Sequence, residues 1–475
     1  MLEAVDAVRV DKVYDSPEEA VADVADGSHV AIAGFGVTHK FPSSLILALR
    51  DQGARELTVY CNGLGQPGHP TAQALAENHQ LARLVASFST RPGPAAPAEL
   101  QILSGDLDVE LVPQGTLVER MRAGGAGIAA FYTPTGVGTE IGVGKEVREF
   151  DGQRYLLERG IRTDYALLRA YRADRMGNVQ FRGASRNFND SFAKAARIAI
   201  VEVDEIVEAG ELAPEDIDLP GVFISRVVRS TVHLDIKTLP HRAERPSSTG
   251  RQYAGKSALT RSEMAHRAAL LLRPGSVVNL GAGLPTQITN FMAGRDITLH
   301  GENGILNYGV FTSAEERDPD VHDSGGNFVT LNPGASFFDS VTSFEIARSG
   351  RLDTVVLGAY QVSAHGDLAN WALPGTGLGG IGGAMDLAVG AQHVIALLEH
   401  LDSKGNQKLV QTCDYPLTAS GCVDSIVTDL AVFSQQADGF RLDEIARGFT
   451  VDEVLELTGM NVTVAESVAI MQDSW

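Results

Sequence analysis

Gly275-Ser276-Val277-Val278-Asn279-Leu280-Gly281-Ala282-Gly283 reads as an apolar strand running into a glycine-rich turn, with Pro285 then opening a helix-like stretch. The same design occurs early in the chain, in Gly27-Ser28-His29-Val30-Ala31-Ile32-Ala33-Gly34-Phe35-Gly36 followed by Pro42. An amphipathic pattern precedes each, around residues 17–24 and 263–272. A second pair of blocks, 162–178 and 351–367, matches without gaps. Arg162/Arg351, Asp164/Asp353, Leu168/Leu357, Ala170/Ala359, Tyr171/Tyr360 and Gly177/Gly366 share the single offset 189. A third pair sets Leu57-Thr58-Val59-Tyr60-Cys61-Asn62-Gly63 against residues 297–304, with Cys61 in the place of Glu302. The chain therefore repeats one framework. Strands alternate with helix patterns in both copies, which predicts two related α/β domains with mostly parallel sheets. They are expected at 1–235 and 259–475, joined by a polar linker at 236–258 that includes Pro240-His241-Arg242-Ala243-Glu244-Arg245-Pro246.

The 475 residues have room for two or three domains at about 150 residues each. The net charge of −21 repels nucleic acid and acidic membranes, so neither is an expected partner. An anionic substrate would need local basic groups or backbone N–H donors against that field. The three cysteines, Cys61, Cys413 and Cys422, form no C-x-x-C pair, which speaks against zinc and against a redox dithiol. Their sparsity suits a reducing compartment. The acidic start Met1-Leu2-Glu3-Ala4-Val5-Asp6 lacks the apolar core of a signal peptide, and no apolar run reaches the roughly 18 residues of a membrane span. A cytoplasmic location is the expectation. No H-E-x-x-H, G-x-S-x-G or G-x-x-x-x-G-K-[ST] pattern occurs, and neither Gly34-Phe35-Gly36 nor Gly281-Ala282-Gly283 completes G-x-G-x-x-G. Zinc hydrolases, serine hydrolases, nucleoside triphosphatases and dinucleotide enzymes are thereby disfavoured, and no metal is expected.

Candidate chemistry gathers around Glu302. The run Ile297-Thr298-Leu299-His300-Gly301-Glu302-Asn303-Gly304-Ile305-Leu306 delivers a carboxylate to an Asn-Gly turn at the end of a strand-like segment. His300 shares a face with Glu302 by strand spacing, and a structural histidine is the simpler reading. Gly375-Thr376-Gly377-Leu378-Gly379-Gly380-Ile381-Gly382-Gly383 allows close approach of backbone to a ligand or an anion-binding nest, and a mobile tether is the alternative. Gln114 follows the apolar run 107–112. Its amide could serve a developing oxyanion, though by itself it reads as a surface glutamine.

Together these pieces resemble the family I CoA-transferases, and most of all the succinyl-CoA:3-ketoacid type, over nearly the whole chain. The resemblance is carried by Glu119-Arg120-Met121-Arg122-Ala123-Gly124-Gly125-Ala126-Gly127 with Phe131-Tyr132-Thr133, by Arg186-Asn187-Phe188-Asn189, and by Pro333-Gly334-Ala335-Ser336-Phe337-Phe338. It continues in Gly366-Asp367-Leu368-Ala369-Asn370-Trp371 and Gly382-Gly383-Ala384-Met385-Asp386-Leu387. It implies a NagB-RpiA-like fold with the family's α and β chains fused and the active site at their interface. It implies Glu302 as nucleophile, Gln114 and the Gly383 N–H as oxyanion stabilisers, and Asn62 and Asn279 as site asparagines. Gly34, Gly36, Asn303, Gly304 and Gly382 join them as expected substrate contacts. The implied substrates are an acyl-CoA and small carboxylic acids, with CoA a substrate and no cofactor, and the implied assembly is a homodimer or higher homo-oligomer.

The chain departs from the family pattern at Gly301, where serine is usual, and at Asn307, where glycine is usual. The first glycine signature is lengthened by His39-Lys40, and a usual lysine is replaced near Gly326. These departures are expected to reshape the acyl pocket. Succinyl-CoA and acetoacetate are then the default pair, and another 3-oxoacid such as 3-oxoadipate is the alternative. A CoA-thioester hydrolase and a non-catalytic acyl-CoA sensor are the competing functions on this fold; retention of Glu302 speaks against the first, and the second would not need Glu302, Gln114 and Gly383 together.

Overall fold

The computed structural model describes residues 11–36, 41–90, 93–232, 250–313, 315–375 and 377–471. Two sheets organise them. In the first, the strands run in the order Arg226–Arg229, Ala196–Val207, Thr163–Asp174, His29–Ile32, Leu57–Gly63, Leu81–Phe88 and Asp108–Leu111, with every neighbouring pair parallel. Thr163–Asp174 lies in the middle, and Tyr165, Ala166, Leu167 and Leu168 are all buried, as a strand covered on both faces requires.

The second sheet runs Val329–Phe337, Ile305–Phe311, Ile297–Gly301, Ser276–Leu280, Thr354–Leu357, Val394–Leu397, Ser425–Val427, Ala431–Gln436, Gly439–Ile445 and Val462–Ile470. Its centre is parallel. Its flanks contain antiparallel pairs, because short turns such as the one at Glu302 return the chain directly and leave no length for a crossover. The two α/β units with mostly parallel sheets are thus present, and both carry antiparallel additions: Val179–Gln180 beside Thr163–Asp174 in the first sheet, and the flanking pairs in the second.

The repeat survives as lateral pairing. Val30 pairs with Tyr165 in the first sheet, and Val278 with Thr354, the residue 189 positions after Tyr165, in the second. Ala31 then corresponds to Asn279. Ala31 pairs with Tyr60, and Asn279 with His300. Counting on from Tyr60 and His300, Cys61 corresponds to Gly301 and Asn62 to Glu302. The expected match of Cys61 with Glu302 is therefore corrected. Matching the two Asn-Gly pairs hid the one residue by which the second turn is longer.

Much of the expected linker, 236–258, lies outside the described residues; its end forms a small antiparallel pair, Gln252–Tyr253 with Lys256–Ser257. The halves are also joined through the glycine-rich run. Phe88, ending its strand, bridges antiparallel to Gly380, the Ser89 N–H donates to the Gly379 carbonyl at 2.9 Å, and the Ile381 N–H donates to that of Ser87 at 2.9 Å. Asn62 and Glu302 both sit where a parallel strand ends, the edge at which open α/β sheets place their ligands.

Candidate active site

The strand Ile297–Gly301 turns through Glu302, Asn303 and Gly304 and returns as Ile305–Phe311, with Gly301 opposite Ile305. Gly304 has φ +101°, and a Cβ there would lie 2.0 Å from the Phe338 carbonyl oxygen, so the turn accepts only glycine. The Phe338 N–H donates to the Gly304 carbonyl at 3.0 Å and its ring stacks on His300 with centroids 6.2 Å apart. The Asn303 amide donates to the His322 carbonyl at 2.7 Å. Asn303 and Gly304, expected as substrate contacts, are thus placed as the frame of the turn.

This frame holds the Glu302 side chain almost wholly buried. Burial pushes its carboxyl above the usual glutamate value, while hydrogen bonds from Asn279 and Ser324 pull the other way. The Asn279 amide nitrogen lies 3.1 Å from Glu302 Oε2 and the same distance from His300 Nδ1. The other ring nitrogen, Nε2, faces Ser343 Oγ at 3.1 Å. Burial lowers His300 to about 4, so it is neutral and structural, as expected. Behind Glu302 lies a second buried carboxyl. Asp323 accepts from the Asn327 backbone at 2.8 Å and from its side-chain amide at 2.9 Å. Burial, with the charge of Glu302 adding to it, raises Asp323 to about 6.

Gln114 is not the surface residue its local sequence suggests: it is buried. Its amide donates to Asn62 Oδ1 at 2.7 Å, and its backbone N–H donates to the Gly382 carbonyl at 2.9 Å. A Cβ on Gly383 would sit 3.1 Å from Gln114 Oε1, so the expected oxyanion pair is adjacent. Gln114 Oε1 and Asn279 Oδ1 are buried without a hydrogen-bond partner. Next to Gln114, the Gly115 N–H donates to Asp386 Oδ2 at 2.9 Å, and Thr135 Oγ1 donates to Asp386 Oδ1 at 3.0 Å. Arg348 completes the clamp at 3.3 Å.

A cavity of about 370 Å³ opens on Glu302, with Gly281, Asn370, Gly382, Gly383 and Lys408 among its walls. Of the expected residues, Glu302, Gly382 and Gly383 line it. Asn279, Asn62 and Gln114 stand behind, linked through hydrogen bonds. Gly34 and Gly36 do not line it: both have positive φ and make the turn after the first strand, and the Phe41 ring fills the space where a Gly34 Cβ would go, at 2.8 Å. The glycine-rich run approaches protein as closely as it could approach ligand. A Cβ on Gly380 or Gly382 would lie 2.8 Å from the Phe88 ring, and one on Gly379 would lie 2.7 Å from the Trp371 ring.

The departures from the family pattern fall elsewhere than expected. Neither Gly301 nor Asn307 is a wall of the cavity. A side chain at Gly301 would meet Asn303 Oδ1 at 2.6 Å, and Asn307 keeps a left-handed φ of +62°, which asparagine tolerates better than most residues. His39 and Lys40 lie outside the described residues. Sequence reasoning missed Asp323, Ser324, Asp386 and Lys408. The polar run His322-Asp323-Ser324-Gly325-Gly326 was the available signal for the first two, whereas the partners of Asp386 come from distant segments. Among the described residues there is no cluster of metal-ligating side chains and no helix long and apolar enough to cross a membrane.

Comparison with known proteins gives the family. The coenzyme A transferase model matches residues 14–230 and 261–457. The mitochondrial succinyl-CoA:3-ketoacid coenzyme A transferase 2A of Rattus norvegicus is 40% identical, covering 97% of this chain and 91% of its own. The human mitochondrial succinyl-CoA:3-ketoacid coenzyme A transferase 2 is likewise 40% identical, covering 97% of this chain and 92% of its own. Among solved structures, a thioester complex of the acyl-CoA transferase of Escherichia coli O157:H7 with CoA shares the fold with TM-score 0.77 at 21% identity, covering 97% of this chain and 95% of that one. The cytoplasmic location expected from the cysteine count does not stand. The rat, human and mouse relatives that match nearly the whole chain are mitochondrial proteins, and three free cysteines do not tell one reducing compartment from another. The chain belongs to the coenzyme A transferase family and is a CoA-transferase.

Proposed function

We propose that the chain moves CoA from an acyl-CoA donor, by default succinyl-CoA, to a 3-oxoacid, by default acetoacetate, in a ping-pong reaction through a glutamyl-CoA thioester on Glu302. The observation that carries this reading is a buried carboxylate on the cavity wall, held by Asn279 at 3.1 Å and set beside the Gly382-Gly383 backbone. The names of the relatives supply the default acids.

The ionised Glu302 attacks the thioester carbonyl and forms an acyl-glutamyl anhydride, with the CoA thiolate as leaving group. The thiolate then attacks the Glu302 carbonyl, giving the enzyme thioester and free donor acid. The acceptor carboxylate attacks that thioester and regenerates an anhydride and thiolate. The thiolate finally takes the acceptor acyl group and frees Glu302. Bonds balance at each step, so no cofactor, metal or nucleotide is required. Each tetrahedral intermediate places an oxyanion that the Gln114 amide and the Gly383 N–H would stabilise, a well-placed donor being typically worth about 2.7–4 kcal/mol. Burial of the site protects the anhydride from water. All these residues come from one chain; a homodimer is part of the proposal, not a requirement of the site.

Initial-rate kinetics test the reading. Parallel double-reciprocal lines with both substrates varied, and no loss of acyl-CoA without an acceptor acid, are expected. Intersecting lines, or steady release of free CoA with water as the only acceptor, would refute it.

A further inference from the structure

Lys408 is the one basic side chain among the described walls of the Glu302 cavity. Its backbone is fixed: the Lys408 carbonyl accepts from the Val362 N–H at 2.9 Å, and its own N–H donates to the His400 carbonyl at 3.3 Å. Its ammonium makes no ion pair or hydrogen bond to any described residue. The nearby acids are engaged elsewhere. Glu399, another cavity wall, accepts from Arg261 Nε at 2.8 Å. Asp429 accepts from the Tyr253 hydroxyl at 2.8 Å and from the His400 N–H at 2.7 Å. An unpaired, largely buried cation thus faces a cavity that, on the proposed function, receives a polyanion in a chain of net charge −21.

We propose that Lys408 is the anion anchor of this cavity: its ammonium receives a carboxylate or phosphate oxygen of the bound substrate, away from the reacting carbonyl, and selects for substrates that carry one. The inference rests on the reading that this cavity holds the acyl-CoA. Burial lowers the proton affinity of Lys408, with Glu399 the leading opposing charge. An arriving anion compensates the desolvated ammonium, and charge-assisted contacts of this kind are among the stronger polar interactions. An ammonium is a point charge on a flexible stem, so Lys408→Arg should keep most of the effect and Lys408→Gln should lose it.

The test uses the full chain, with Lys408→Gln and Lys408→Arg, and four donors: succinyl-CoA, butyryl-CoA, succinyl-dephospho-CoA and succinyl-pantetheine. Lys408→Gln is expected to raise KM by roughly tenfold or more for donors carrying the anchored group, with kcat little changed. The penalty should vanish for butyryl-CoA if the acyl carboxylate is anchored, and for the dephospho or pantetheine donor if a phosphate is. Unchanged KM across the panel, or an equal loss with every donor, overturns the inference. So does a wild-type enzyme that treats all four donors alike, which decides the matter even where Lys408→Gln does not fold. Failure of the wild type to form any covalent adduct on Glu302 would refute the underlying function instead.

Discussion

Asn279 donates its side-chain amide to Glu302 across 3.1 Å, from the strand next to the one that delivers the carboxylate. It is one of two side chains that favour the ionised form of a group whose burial favours the neutral one. On the proposed mechanism the nucleophile is the carboxylate, so activity is present above the Glu302 pKa and lost as pH falls through it. In the wild type the acid limb of kcat/KM should lie above the ordinary glutamate value of about 4.3. Asn279→Ala should shift that limb to higher pH and lower the neutral-pH rate by roughly tenfold or more, since a hydrogen bond to a buried charge is worth about 1.5–3 kcal/mol. Matching pH-rate profiles of the two proteins would contradict this.

The same burial predicts a stability effect of opposite sign. Glu302 has a folded-state pKa raised above its unfolded one, so it contributes stability below the unfolded value and loses it as pH rises through the folded value. Asp323, raised to about 6, acts in the same direction. Glu302→Gln, which mimics the neutral form, is expected to abolish turnover yet melt higher than the wild type near pH 8, by roughly 1–4 °C. The gap should close toward pH 4. Thermal melts at both pH values check this, and a variant less stable at pH 8 would count against it.

Asp386 ties the segment beside Gln114 to both halves of the chain. Its carboxylate accepts from the Gly115 N–H and Thr135 of the first half while facing Arg348 of the second. Truncating it leaves the buried Gly115 N–H without its acceptor and Arg348 with only Glu119, at 3.7 Å, and breaking a buried pair of this kind costs about 3–5 kcal/mol. Asp386→Ala should lower the unfolding midpoint and, by loosening Gln114 against Gly382, reduce kcat more than it raises KM. Denaturant melts together with steady-state kinetics measure both effects.

The framework of this fold was legible because strand, glycine turn and proline recur locally, and the offset of 189 reappears as strand pairing beside Val30 and Val278. The Glu302 turn was legible for the same reason: Asn-Gly and the Phe337-Phe338 run are local signals whose contacts lie close to the turn. Register was not. One additional residue in a turn leaves the apolar pattern intact while moving the counterpart of Glu302 from Cys61 to Asn62. Gln114 read as surface because its partners, Asn62 and Gly382, come from other elements of the fold. Asp386 and Lys408 were silent on the same ground: what sets each apart is an arrangement of distant segments. Gly34 and Gly36 show the converse, glycines that a motif offers to substrate but that the chain uses to turn past Phe41.

The central claim is that Glu302 becomes covalently bonded during turnover. The direct measurement is to mix the enzyme with acyl-CoA in the absence of acceptor, reduce with borohydride, digest, and locate the modified residue by mass spectrometry. The peptide containing His300-Gly301-Glu302-Asn303 is expected to carry an alcohol in place of the Glu302 carboxyl, and adding the acceptor acid before reduction is expected to remove the mark. An enzyme that turns over acyl-CoA while leaving Glu302 unreduced, or that keeps its full rate as Glu302→Ala, would contradict the claim.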